Sequence, residues 1–193
     1  ENVFMTTYTY SDAILNGEQY NRKDLLTDLT LEKFRAEFLP YNFGVPQVLL
    51  ATLNKFQKSR EDEKMPGPEF LAYPLLHDLI MVPSWMASST QDLLREIREV
   101  KLGFGVGDAQ FLPYWSNADT IDVSAEGALV SAYFRGDDGL LLLIGQATTE
   151  EPLELEVALT GDLADLSGAP AVDALSVEAL QWRDGKLVWP LPR

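Results

Sequence analysis

The chain has no cysteine. A disulfide framework and thiolate metal sites are thereby excluded. The redox compartment stays open, because secreted proteins can also lack cysteine. Histidine is almost absent: His77 stands alone, which makes an imidazole metal centre a poor fit. Basic residues are scarce, 15 against 30 acidic, for a net charge of −15. Nucleic-acid binding needs basic side chains that displace counterions. An anionic membrane surface makes the same demand. Neither is an expected partner. Long hydrophobic runs are missing too. The longest, Leu140 to Ile144, has strand length, far below the ~18–20 residues of a membrane span. No secretory leader is visible. The glycines of Gly103, Gly105 and Gly107 do not form G-x-G-x-x-G and have no following Lys-Ser/Thr, so they make no phosphate loop. No serine stands in a G-x-S-x-G setting. No cofactor and no metal is expected.

What is present is enough for a buried core. The chain has 193 residues, 46% of them apolar, an ordinary globular balance. Its charge is uneven. Residues 1–116 hold 16 acids and 11 bases, a balance of −5. Residues 117–193 hold 14 acids and 4 bases, a balance of −10. That shift supports two parts with different roles.

The first part alternates strand and helix signals. Val3 to Tyr10 is rich in β-branched and aromatic residues and reads as a strand. The chain enters it almost at once, with no initiator Met, which points to sequence upstream. Ser11 to Asp28 is polar, with Asn16-Gly17 as a turn signal, and reads as a loop. Thr30 is placed to cap a helix whose stripe is Leu31, Phe34 and Phe38. Val45 to Leu53 reads as a buried strand. Lys55 to Lys64 and the following Met-Pro-Gly-Pro read as a surface loop. Pro68 to Ile80 reads as a helix kinked or restarted at Pro74. Ser88-Ser89-Thr90 caps an amphipathic helix over Gln91 to Lys101. This order is that of an α/β layer.

After Gly107 the pattern changes to short β runs. They cover Val130 to Arg135, Leu140 to Ala147 and Leu153 to Thr160. Leu153, Leu155, Val157 and Leu159 alternate with Glu154, Glu156 and Ala158, one face buried and one wet. Asp184-Gly185 joins Ala179–Arg183 to Lys186–Leu191 as a hairpin. Gly136 to Gly139 is another turn. The expected architecture is α/β over residues 1–108, followed by an all-β antiparallel sandwich over residues 109–193.

Three groups of residues could carry chemistry. Asp12, Glu18 and Tyr20 follow the first strand signal, where parallel α/β folds place catalytic carboxylates. Glycoside hydrolysis needs a pair of carboxyl groups. The plainer account is a turn-stabilising Asp and a solvated Glu. His77 and Asp78 share a segment with Leu75, Leu76, Leu79 and Ile80. If the segment is helical, the two point away from the apolar face, to solvent or to a site. A structural role is the commoner fate of a lone histidine. Trp85, Trp115, Trp182 and Trp189 supply faces on which sugars stack, though tryptophan is first a core residue. Trp189 is expected in the core, and Phe111 to Trp115 is expected to pack the two parts together.

The runs Asn16-Gly17-Glu18-Gln19-Tyr20, Phe34-Arg35-Ala36-Glu37-Phe38, Leu76-His77-Asp78 and Phe111-Leu112-Pro113-Tyr114-Trp115 come in an order that resembles the C-terminal half of certain large bacterial glycoside-hydrolase-like proteins. These are remote relatives of β-N-acetylhexosaminidase-type barrels. The resemblance implies that residues 1–108 are the trailing βα units of a TIM-like barrel, with the sandwich appended. It implies a carbohydrate substrate and an extracellular or periplasmic place. It also implies completion by another chain or by a missing N-terminal segment. The resemblance carries over only Glu18, His77 and Asp78, as positions near the barrel mouth. Together with the residues read above, the catalytic candidates are Glu18 and Asp12, and the substrate-binding candidates Tyr20, His77, Asp78 and Trp115. The alternative is a non-catalytic carbohydrate-binding or assembly module on a partial barrel.

Overall fold

A computed structural model describes residues 10–18, 30–38, 41–42, 44–50, 68–83, 86, 88–125, 127–146 and 154–190. All of the strand expected at Val3 to Tyr10 except Tyr10 itself, the loop at Lys55 to Lys64, and the residues Tyr20 and Trp85 lie outside them. The chain divides into two compact units, Glu1–Arg95 and Glu96–Arg193. Their boundary falls inside a helix.

The first unit holds a small parallel sheet. Strand β1 (Ile14–Asn16) pairs in parallel with β3 (Val45–Leu49). On its other side β3 pairs in parallel with β4 (Ile80–Met81). A two-residue strand β2 (Tyr41–Asn42) folds back antiparallel onto the start of β3. The stretch read from sequence as one polar loop therefore contains β1. Three residues are too few to show a period, and it is the pairing with β3 that makes them a strand. The three parallel strands stand side by side in chain order.

Helix α1 (Leu31–Glu37) begins where the sequence places it. The Thr30 hydroxyl accepts from Lys33 N at 3.2 Å, and Phe34 and Phe38 are fully buried. Helix α2 (Pro68–Leu76) runs through Pro74 without a break. Proline acts on the preceding turn, where it leaves the carbonyl four residues earlier, that of Phe70, without its helical donor, and the helix ends two residues after it. Phe34 packs against Phe38, Tyr73 and His77, with ring centroids 4.9, 5.2 and 5.0 Å away. This aromatic cluster joins α1 to α2.

Helix α3 (Ser88–Phe104) spans the unit boundary. It starts at the serines read as its cap. Its last turns belong to the second unit, where the Lys101 ammonium lies 4.8 Å from the Tyr133 ring centre. Arg135 donates to the Phe104 carbonyl and sets its guanidinium 5.8 Å from that ring. The helix end, rich in unpaired carbonyls, favours such a cation.

The second unit is a β-sandwich of two antiparallel sheets. One contains β5 (Gln110–Leu112), β7 (Ala128–Phe134) and β8 (Leu140–Gln146), in the order β5-β7-β8. The other contains β6 (Ile121–Val123), β9 (Glu154–Leu159), β10 (Ala171–Val172), β11 (Ala179–Arg183) and β12 (Lys186–Pro190). Its order is β10-β11-β12-β9-β6. Val130 and Ala132 of the first sheet share one core with Ile121, Leu155, Val157, Leu159 and Leu187 of the second. The alternation along β9 is as read, with Leu155 and Val157 at zero exposure. The Asp184-Gly185 turn has φ of 52° and 79°, both left-handed. That is what a two-residue turn matched to twisted strands demands. Strands β5, β6 and β10 were not foreseen, being two or three residues long.

Loop 173–178 is held by one carboxylate. Asp173 Oδ1 accepts from Leu175 N (2.9 Å) and Ser176 N (3.0 Å), and Oδ2 from Trp189 Nε1 (3.1 Å). Val177 N donates to the Asp173 carbonyl at 2.8 Å. This closure puts Val177 at φ 61° with its side chain 77% exposed. A β-branched residue is strained there by about 1–2 kcal/mol. Val177→Gly is expected to stabilise the chain by about 0.5–1 kcal/mol, part of the relief being offset by the freer unfolded glycine. A rise in the urea midpoint at unchanged slope is the reading to look for.

Candidate functional site

The parallel sheet defines two edges. At its carboxyl edge Leu50 N donates to the Asn16 carbonyl (2.8 Å) and Val82 N to the Leu49 carbonyl (2.9 Å). These bonds carry the ladder one step past the strands. Gly17-Glu18, Leu50 and Val82 thus leave the sheet together. Gly17 has φ +100°, and a Cβ there would lie 2.6 Å from Leu49 Cδ1. Glycine lets the chain turn tightly across Leu49. The turn delivers Glu18, exposed, just beyond the strand. Open parallel sheets and barrels build their sites at this edge.

Asp12 precedes β1, while Glu18 follows it. The two therefore belong to opposite edges. The strand between them does not bring them together as an acid/base pair. Residues His77 and Asp78 also lie away from Glu18, in the turn that leaves α2 and enters the amino end of β4. His77 has no exposure. Its Nδ1 donates to the Tyr73 carbonyl at 2.7 Å, and its ring meets the edge of Phe34. Asp78 has φ 53° and ends the helix, with its N–H donating to Leu75 O at 3.2 Å, while Leu79 N donates to Pro74 O at 2.8 Å. Here a left-handed residue satisfies the last carbonyls. The geometry gives both residues a role in packing and helix termination.

Burial pushes the His77 imidazole below its ordinary pKa, with nearby Arg35 acting in the same direction and the Tyr73 bond opposing. The unfolded chain binds this proton more readily than the folded one. The stability linked to His77 is therefore complete above the ordinary histidine value of about 6.5 and is lost as pH falls below it. Urea midpoints at about pH 7.5 and about pH 5.5, either side of that value, measure the loss. His77→Gln is expected to show less of it.

Trp115 lies in the second unit, half-buried in the turn after β5, at 5.0 Å and 88° to the Tyr114 ring. Phe111 stacks on Tyr133 at 5.1 Å within the same unit. The indoles of Trp182 and Trp189 donate to Ala169 O (2.7 Å) and Asp173 Oδ2. Tyr20 lies outside the described residues. Among those residues no group of three or more His, Asp or Glu is placed to hold a metal ion. No described helix is long and apolar enough to cross a membrane.

Gln47 was passed over in the sequence. It stands in the middle of β3, 4% exposed, and its Oε1 is buried with no hydrogen-bond partner among the described residues. The register places it beside Ile14, and Asn16 beside Leu49. Neighbours in register point the same way, and every second residue shares a face. Asn16 and Gln47 are thus two carboxamides on one face of the sheet. Asn16 Oδ1 accepts from Gly17 N at 2.8 Å. The signal that could have found Gln47 is a single carboxamide inside the apolar run Val45 to Leu53.

Comparison with known proteins finds no match to a protein family, to a characterised protein or to a solved structure.

Proposed function

We propose that the chain is a portion of a glycoside hydrolase acting on a complex glycan, with Glu18 as an acid/base or substrate-binding carboxylate. The first unit is read as trailing βα units of a TIM-like barrel. One observation carries this reading: an exposed glutamate follows a parallel strand at its carboxyl end, in a sheet whose strands stand in chain order with helices between them. Strands added one after another in chain order are what a (β/α) barrel requires. A neutral glycan suits a surface of net charge −15 better than an anionic ligand does. The substrate is a carbohydrate, and another chain or segment supplies the rest of the barrel and the second carboxyl group.

The position of Asp12 favours a second reading. Asp12 precedes β1 and Glu18 follows it, so the strand does not set these two carboxyl groups side by side. A non-catalytic carbohydrate-binding or assembly module needs no such pair. Incubating the protein with neutral oligosaccharides separates the two. Release of new reducing ends supports the hydrolase. Retention of intact glycan without cleavage supports the binding module. Neither release nor retention contradicts both.

A further inference from the structure

We propose that Gln47 is a ligand-binding residue, whose Oε1 accepts a hydrogen bond from a hydroxyl of a neutral sugar. This deepens, and rests on, the glycan reading above. A carbonyl oxygen shut off from water without a donor costs about 1–3 kcal/mol, and native proteins hold few of them. Gln47 has such an oxygen. It also breaks a local rule. Buried strands of a parallel sheet are ordinarily continuous aliphatic runs, and the flanking Val48 and Leu49 obey that. Departures of this kind collect at functional positions. The second carboxamide, Asn16, shares the face, and β1 leads from it directly through Gly17 to Glu18. Gln47 and Asn16 thus stand diagonally on one face, with Asn16 at the end of its strand nearer the carboxyl edge.

The chemistry selects the ligand. A carboxamide is uncharged and both donates and accepts. A hydroxyl does the same, so the two match without burying a net charge. An anion or a cation would be left unpaired there at high cost. A neutral polyhydroxyl compound fits, and a sugar supplies several such groups on one rigid frame.

The test compares the full chain with Gln47→Met, which keeps the length and removes both polar atoms. Melting temperatures are read alone and with cellotriose, maltotriose, xylotriose and N,N′,N″-triacetylchitotriose. Without sugar, Gln47→Met is expected to melt at or above the wild-type temperature, because an unsatisfied oxygen has gone. The sugar that shifts the wild type is expected to bind the variant about tenfold more weakly or worse, the loss of one buried hydrogen bond. A ligand-free variant that melts several degrees lower overturns the proposal, since the oxygen then has an internal partner such as a buried water. Equal affinity in the two proteins also overturns it and leaves the glycan reading standing. A wild type that none of the sugars shifts overturns the glycan reading, and the sugar as partner of Gln47 with it.

Discussion

Under the proposed glycoside-hydrolase reading, Glu18→Gln is expected to lower turnover of the complete enzyme about a hundredfold or more and to leave the melting temperature of the chain unchanged. Glutamine keeps the shape of the side chain but cannot give or take a proton. General acid/base groups contribute about 10²–10⁴ in rate, and the whole of that is at stake if Glu18 is one of them. Stability is spared because Glu18 is exposed in the turn after β1, and surface substitutions usually change stability by less than about 0.5 kcal/mol. Steady-state kinetics separate its two roles. Loss in kcat with little change in KM marks an acid/base group. A raised KM at unchanged kcat marks a carboxylate that only holds the substrate. Near-normal values of both remove Glu18 from the site.

The second large effect concerns the sandwich. Asn117→Asp is expected to destabilise the chain by about 3 kcal/mol or more, and Asn117→Ala by about 2 kcal/mol. Asn117 is 7% exposed. Its Nδ2 donates to Val130 O (2.8 Å) and Leu112 O (3.3 Å), which belong to β7 and β5. Its backbone carbonyl accepts from Thr120 N and Ile121 N, both at 2.9 Å, at the entry to β6. One residue thus fastens the edge of one sheet to the start of the other. Alanine removes the two side-chain bonds and leaves carbonyls short of a donor. Aspartate does more damage, because it turns an acceptor, and a charge, toward two carbonyl oxygens in a buried place. Urea unfolding of the two variants checks the order. Aspartate tolerated as well as alanine contradicts this role.

Features written in local chemistry were legible in the sequence. The Thr30 cap, the Phe34/Phe38 stripe, the β9 alternation and the Asp184-Gly185 hairpin each depend on neighbours within a few residues. Features set by distant partners were not. Ile14 to Asn16 become a strand only because Val45 to Leu49 lies beside them. Asn117 is one more polar loop residue until Val130 is seen above it. His77 was read as pointing away from the apolar face of a possible helix, whereas it lies in the turn after α2 and is buried, because Phe34 reaches it from another helix. In the candidate site, Glu18 was read from its place after a strand signal, although the described strand leading to it is β1 rather than the earlier run. Gln47 was hidden by the apolar residues around it, which described the strand correctly and drew no notice to its one polar member.

In the proposed function the carboxyl edge of the parallel sheet meets a neutral glycan. Amide chemical shifts of the ¹⁵N-labelled chain, followed during titration with the oligosaccharide that raises its melting temperature, test it directly. The expected result is a set of saturable shifts at Gly17, Glu18, Leu50 and Val82, with little change in β6, β9 and β12. Shifts confined to the sandwich, or to the amino edge around Asp78 and Leu79, contradict it.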